Sequence, residues 1–244
     1  MKRCTNNHIH IWHFSFAPHH KADRYWNVLT KDEKERADRF YFDKDRMAWL
    51  FSRGILRTIL SQYLGIKPDA IRFQYTSYGK PFLDPLQNPA GLHFNVSHTH
   101  HCILYAFTKN IDIGIDVEYL KSDIDHQGIA KNFFSPYEYQ LLTNANHEQQ
   151  NTLFYKIWTC KEAFIKAIGQ GLSYPLADFD VAVQENEPAK VLNIKGEPHE
   201  ANQWTLHSFT PADRYIAAIA TRQPVQQITY YGYEISGLSS EINA

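Results

Sequence analysis

Two acidic side chains in the segment 111–118, Ile-Asp-Ile-Gly-Ile-Asp-Val-Glu, have a spacing that could bind a metal ion. In a β-strand, successive side chains point to opposite faces, so Gly114, Asp116 and Glu118 would share one face and the isoleucines the other. The two carboxylates would then lie about 6.5–7 Å apart, close enough to converge on one hard cation. Gly114 would leave that face open to a ligand. The alternative interpretation is an amphipathic strand whose polar face contacts only solvent.

A second group of chemically capable residues lies in the segment Trp-Thr-Cys-Lys-Glu-Ala-Phe-Ile-Lys, residues 158–166. On a helix, Trp158, Glu162 and Lys166 are four residues apart and share one side. A glutamate and a lysine in this order can also form a simple surface ion pair worth a few tenths of a kcal/mol. The apolar neighbours indicate a well-packed helix, on which a charged pair often lines a cleft.

A third group lies at the end of a short apolar strand, in Phe-Asn-Val-Ser-His, residues 94–98. His98 could bind a phosphate, and Ser97 could bind a ligand or cap the following turn. His98 and His100 also raise the question of zinc, but no HxxxH or HExxH motif accompanies them. The chain has no P-loop and no GxGxxG motif.

The pattern of apolar residues and caps predicts an α+β protein of two halves, residues 1–110 and 111–244. In the first half we expect a strand at 8–14, a helix start with Thr30 as N-cap and Glu33 in a capping box, and a helix ended by Gly65. Strands are predicted at 93–97, 102–107 and 111–118. Helices follow at 124–168, with Ser135 as an N-cap, and short strands at 179–233.

The composition favours a compact cytoplasmic protein. The 244 residues include 25 basic and 26 acidic side chains, and this balance gives no indication of nucleic-acid binding. Three cysteines without CxxC spacing do not form a disulfide framework. The chain shows neither a signal-peptide pattern at its start nor an apolar run of about 20 residues, so we expect no membrane segment.

Taken together, four segments in order resemble the 4′-phosphopantetheinyl transferases, in particular the Sfp-type subclass named after a surfactin synthetase activator. They are Tyr78-Gly79-Lys80-Pro81, residues 94–98, Gly114-x-Asp116-x-Glu118, and the WxxKExxxK segment 158–166. The resemblance runs from about residue 39 to residue 173. It implies a pseudo-dimer of two similar α+β halves with the active site between them.

The resemblance also implies an activity: transfer of the phosphopantetheine arm of coenzyme A to a serine of an apo acyl or peptidyl carrier protein, releasing 3′,5′-ADP. Mg²⁺, with Mn²⁺ as a substitute, would be the cofactor and coenzyme A the co-substrate. The implied metal ligands are Asp116, Glu118 and Glu162. The base that accepts the serine proton would be Glu162 or a metal-bound water. The implied coenzyme A contacts are Lys161 and Lys166 at phosphate, Ser97, His98 and Arg36 near the 3′-phosphate, and Lys80 with Pro81 near the adenine.

Some points stay open at this stage. Glu33 and Trp49 replace a lysine and a threonine that a close family member would place near coenzyme A. The carrier would dock on a partly apolar surface within 124–142, and a chain holding both halves favours a monomer. Two rival interpretations are a metal-dependent phosphoesterase using Asp116, Glu118, His98 and His100, and a non-catalytic coenzyme A-binding module.

Overall fold

The computed structural model describes residues 2–17, 20, 22–184, 187–233 and 239–242. Residues 185–186, 234–238 and 243–244 of the predicted C-terminal half lie outside the described residues. Among the helices in the described ranges, none combines the length and the apolar character needed to cross a bilayer.

Within the described ranges, the first half of the chain contains five strands and three α-helices. They are β1 (His8–Ser15), α1 (Asp23–Trp26), α2 (Lys31–Ala37), α3 (Asp43–Leu64), β2 (Phe73–Tyr75), β3 (Pro81–Leu83), β4 (Leu92–Thr99) and β5 (Cys102–Lys109). The second half contains β6 (Ile113–Tyr119), α4 (His126–Phe133), α5 (Pro136–Asn144), α6 (His147–Ile168), β7 (Phe179–Ala182), β8 (Lys190–Ile194), α7 (Pro198–Ala201), β9 (Thr205–Phe209), β10 (Tyr215–Thr221), β11 (Gln227–Tyr233) and β12 (Ser239–Ile242).

The two halves repeat one arrangement of strands. In the first, β1 pairs with β5 and β5 with β4, while in the second β6 pairs with β10 and β10 with β9. An apolar core fills the space between these two sheets, and each sheet packs its other face on the helices of its own half. The layers therefore run helices, sheet, sheet, helices, which confirms the α+β pseudo-dimer predicted from the sequence.

Two long helices, α3 and α6, are the clearest sign of the repeat. Each has 22 residues and ends at a glycine in the left-handed conformation, Gly65 with φ 68° and Gly169 with φ 80°. Left-handed backbone is unstrained at glycine, so both helices stop where the sequence predicts.

A buried arginine, Arg57, links helices α2 and α3 of the first half to one another. Glu33 accepts the backbone N–H of Thr30 in the predicted capping box, and its carboxylate is 2.7 Å from Nε of Arg57 on α3. The same guanidinium donates to the carbonyls of Pro68 and Ile71, just before β2. Arg57 thus joins α2, α3 and the following chain in one polar cluster without exposing a charge.

The second half repeats this pairing of a capping-box glutamate with a buried cation, but the cation is a lysine. Glu138 accepts the backbone N–H of Ser135 in a second capping box, and its Oε1 is 2.8 Å from Nζ of Lys161 on α6. Lys161 also donates to the carbonyls of Leu176 and of Phe179, the first residue of β7. Both side chains of this ion pair are 0% exposed.

The last strands of the chain do not stay with the second half. β11 pairs in parallel with β1, and β12 pairs with β11, so the larger sheet has the order β12-β11-β1-β5-β4. The sequence division at residue 110 stays a prediction, and strands from both sides of it share this sheet.

Replacing Lys161 by methionine tests the second buried cluster. Because Glu138 would lose its cationic partner in the core, we expect the free energy of unfolding to fall by about 3–5 kcal/mol. Lys131→Met, at an exposed position on α4, is the control and should change it by no more than about 0.5 kcal/mol. Urea unfolding followed by circular dichroism measures both variants. Equal midpoints for the two variants would contradict this role.

Candidate active site

Helix α6 lies directly on strand β6 at Gly114. A side-chain Cβ at this position would stand 1.9 Å from the carbonyl oxygen of Ala163 and 2.4 Å from the backbone nitrogen of Ala167. The expectation that Gly114 opens this face to a ligand is therefore wrong, because the helix backbone fills the space. The close approach instead brings the side chains of α6 to the carboxylates that follow on β6.

Lys166 of α6 reaches Asp116 of β6. Its Nζ is 2.7 Å from Oδ1 of Asp116 and 3.0 Å from Oγ of Ser97 on β4. The Ser97 hydroxyl donates to the same Oδ1 over 2.9 Å. Two strands and one helix thus meet at one carboxylate oxygen, in the seam between the halves.

Strands β4 and β6 belong to different sheets, and alternate polar side chains of β4 join them. Thr99 donates over 3.4 Å to Oε2 of Glu118. The other contacts in this row are His93 Nδ1 with Asp112 Oδ1, the Ile115 N–H with Asn95 Oδ1, and the Val117 N–H with Ser97 Oγ. Side chains replace the backbone ladder along this seam, so the orientation of the β6 carboxylates depends on β4.

Glu118 and Glu162 share the electrostatic field of Asp116. Burial first, and then the charge of Asp116, raise the pKa of Glu118 to about 7, with a further contribution from Glu162. Burial and the charge of Asp116 likewise raise the pKa of Glu162 to about 7. The ammonium of Lys166 opposes both shifts. Three carboxylic acids therefore interact here with one lysine, and the single positive charge of that lysine cannot balance three ionised carboxylates.

The donor set fits a hard divalent cation. Oδ2 of Asp116 is buried and has no hydrogen-bond partner, and the two glutamates near it resist ionisation in the metal-free protein. Within the described ranges, no three histidine, cysteine or carboxylate side chains are already gathered as a metal site. The ammonium of Lys166 already contacts the central carboxylate, Asp116. Oxygen ligands with unmet charge are what Mg²⁺ binds.

Lys161 does not belong to this group. The sequence predicts a phosphate contact for it, but its ammonium is enclosed by Glu138 and two backbone carbonyls in the core. On a helix, Lys161 lies about 100° from its neighbour Glu162, so it points into the packed side of α6. The phosphate contact predicted for Lys161 is therefore corrected to a structural ion pair.

Lys80 and Pro81 line a cavity of about 360 Å³ beside the seam, together with His93, Asp112 and Gly169. The ammonium of Lys80 donates over 3.1 Å to the carbonyls of both Ile113 and Ala167, which ties the β2–β3 turn to β6 and to the end of α6. Burial lowers the pKa of Lys80 to about 8. A contact of these two residues with the adenine end of coenzyme A stays a prediction.

The other predicted ligands of the 3′-phosphate differ in their surroundings. Ser97 is buried in the seam, whereas His98 is exposed at the end of β4. Desolvation and the nearby Lys166 ammonium lower the pKa of His98. Arg36 is exposed on α2, with its guanidinium 5.8 Å from the ring centre of Trp49. The roles of His98 and Arg36 at phosphate stay predictions.

Two residues of the seam were not identified from the sequence. Asn95 holds the backbone of β6, and Thr99 holds Glu118. A signal for them is present, since every second residue from 93 to 99 is polar in a strand whose other residues include Phe94 and Val96. That pattern predicts a polar face, but not which strand the face meets.

Comparisons with known proteins identify the family of this chain. The sequence profile described as "4'-phosphopantetheinyl transferase superfamily" matches residues 112–220, and the profile "4'-phosphopantetheinyl transferase, N-terminal" matches residues 15–109. The chain belongs to the 4′-phosphopantetheinyl transferase superfamily. The resemblance drawn from the four motifs is thereby confirmed.

Three relatives of this transferase match over most of their lengths. The 4'-phosphopantetheinyl transferase HetI of Nostoc is 38% identical over 216 residues, covering 88% of each chain. The transferase ffp of Bacillus subtilis is 36% identical, covering 88% of this chain and 92% of its own. The transferase Sfp of Bacillus subtilis is 34% identical, covering 87% of this chain and 91% of its own.

The raised pKa of Glu162 predicts how stability changes with pH when no divalent metal is present. Its pKa is about 7 in the folded protein and near 4.5 when unperturbed. Between these values the folded state holds more protons than the unfolded state, so stability falls as pH rises through this range. Glu162→Gln lacks the group, and we expect its free energy of unfolding to fall less between about pH 5 and about pH 7.5. Urea unfolding in chelator at both pH values measures this, and parallel losses in the two proteins would contradict it.

Proposed function

We propose that this chain transfers the 4′-phosphopantetheine group of coenzyme A to a serine of an apo acyl or peptidyl carrier protein, with Mg²⁺ as cofactor and Mn²⁺ as a substitute. The observation that carries the proposal is the seam where Asp116, Glu118, Glu162 and Lys166 act on one another. The names of the three relatives, all 4′-phosphopantetheinyl transferases, support it.

Asp116, Glu118 and Glu162 would hold the metal ion. The unpartnered Oδ2 of Asp116 and the raised pKa values of the two glutamates support this set, because a bound cation would relieve both. Bound Mg²⁺ would stabilise the negative charge of the coenzyme A pyrophosphate.

The transfer forms a bond from the carrier serine oxygen to the β-phosphorus and breaks the bond from that phosphorus to the leaving 3′,5′-ADP. The serine proton must leave as the bond forms, and Glu162 is our candidate for the base. With a divalent cation bound, its carboxylate would be ionised at neutral pH and so able to accept that proton. Lys166, at the edge of the cluster with a side chain 29% exposed, can turn its ammonium to a phosphate oxygen.

The carrier would dock next to α6, on the predicted stretch 124–142. Phe133 and Tyr137 expose large apolar surface there, and the ring of Phe133 lies edge-on to Trp158, 6.3 Å away between centres. Trp158 is one helical turn before Glu162. A carrier held on these rings would have its serine within reach of the seam.

Asp116→Asn tests the metal role, because it keeps the shape of the side chain and removes its charge. We expect carrier loading to slow by about 10²–10³-fold while coenzyme A binding stays measurable. Asp69→Asn, at an exposed position outside the seam, is the control and should keep near-normal loading. Intact mass of an apo carrier incubated with coenzyme A and Mg²⁺ gives the rate.

The same assay separates the proposal from a phosphoesterase and from a binding module. A transferase adds one phosphopantetheine group to the carrier and releases 3′,5′-ADP. A phosphoesterase consumes coenzyme A without changing the carrier mass, and a binding module changes neither. Normal loading by Asp116→Asn at defined Mg²⁺ would contradict the metal role.

Phe133→Ser tests the docking surface. We expect the carrier KM to rise by about tenfold, with the coenzyme A KM unchanged, because one well-packed apolar contact is worth about 1–2 kcal/mol. Leu192→Ser, which removes another exposed apolar side chain on β8, is the matched control. Steady-state kinetics with each substrate varied in turn distinguishes the two. A rise in both KM values, or equal effects of the two variants, would count against docking here.

A cytoplasmic location, a monomeric state and the lack of a nucleic-acid partner stay predictions from composition and sequence. Size-exclusion chromatography with light scattering would determine the mass in solution.

A further inference from the structure

Ser97 and His98 are neighbours on β4, and the sequence predicts the same ligand for both. Successive side chains of a strand point to opposite faces, however. Ser97 is 6% exposed and lies in the row that meets β6, whereas His98 is exposed. The two side chains therefore do different work.

The hydrogen bonds of Ser97 show what it does. Its three partners are Oδ1 of Asp116 at 2.9 Å, Nζ of Lys166 at 3.0 Å and the N–H of Val117 at 3.3 Å. An ammonium and a backbone N–H can only donate, and a carboxylate can only accept. The single hydroxyl proton of Ser97 must therefore go to Asp116. A phosphate oxygen, which also only accepts, finds no proton left on this hydroxyl.

We infer that Ser97 is a positioning residue of the metal site and not a ligand of the 3′-phosphate. By fixing Oδ1 of Asp116, it leaves Oδ2, which is buried and unpartnered, as the oxygen available to a cation. The bond to the Val117 N–H ties this carboxylate to the first half of the chain, since Ser97 lies on β4. The inference rests on the proposed transferase function and adds a role within it.

Dephospho-coenzyme A, which lacks the 3′-phosphate, separates the two roles. If Ser97 orients Asp116, Ser97→Ala lowers kcat by about tenfold or more with coenzyme A and by the same factor with dephospho-coenzyme A, because a bond to a charged group is lost in both cases. If Ser97 binds the 3′-phosphate, the loss disappears with dephospho-coenzyme A. His98→Ala, on the opposite face of β4, is the comparator. We expect it to impair the reaction with coenzyme A but not with dephospho-coenzyme A, because His98 is predicted to bind the 3′-phosphate.

A second measurement needs no turnover. Mn²⁺ binding followed by electron paramagnetic resonance, without coenzyme A or carrier, should show about tenfold weaker affinity for Ser97→Ala and nearly unchanged affinity for His98→Ala. Ser97→Thr keeps the hydroxyl and should restore binding. If Ser97→Ala does not fold, Ser97→Cys, whose S–H is a weak donor, replaces it in both assays.

The two arms also separate this inference from the proposed function. Unchanged Mn²⁺ affinity in Ser97→Ala, together with a loss confined to coenzyme A, overturns the positioning role and leaves the transferase intact. A wild-type protein that binds Mn²⁺ through a Ser97-dependent site but never loads a carrier overturns the proposed function and leaves the positioning role intact.

Discussion

The structure depends on one electrostatic constraint: three carboxylates are drawn out of water at the same seam. Lys166 neutralises Asp116. Burial and the charge of Asp116 raise the pKa of Glu118 and of Glu162 to about 7, so both glutamates hold a proton below that pH and the energetic cost of burying them falls. Charges kept this close in a partly buried space repel one another strongly. A divalent cation would remove that repulsion. The free energy that the repulsion costs in the metal-free fold would therefore favour binding of the cation.

The rest of the fold serves to hold these groups in place. In both halves a capping-box glutamate pairs with a buried cation, Arg57 in the first and Lys161 in the second, and this fixes the long helix. The halves differ in what their first strand, β1 or β6, presents to that helix. Strand β6 presents carboxylates to α6, whereas β1 presents His10 and Trp12 to the hydroxyl of Tyr63 on α3. One half thus carries ionisable chemistry at this position and the other a buried aromatic cluster.

Local patterns predicted much of this from the sequence. Alternation predicted β6 and its acidic face, the Thr30 capping box and the Ser135 N-cap predicted the starts of α2 and α5, and the glycines predicted the ends of α3 and α6. The errors arose where long-range packing decides the outcome. Gly114 and Lys161 both have types that suit a ligand site, but α6 packs on the first and the core encloses the second. The repeated buried cation escaped notice because it is arginine in one half and lysine in the other.

A crystal structure with Mn²⁺ and coenzyme A, with the metal located by its anomalous scattering, tests the central claim most directly. The account predicts an anomalous peak among the carboxylates of Asp116, Glu118 and Glu162, with the Lys166 ammonium moved from Asp116 to a phosphate oxygen. A peak elsewhere, or bound coenzyme A with Lys166 still on Asp116 and no metal beside the three acids, would contradict it.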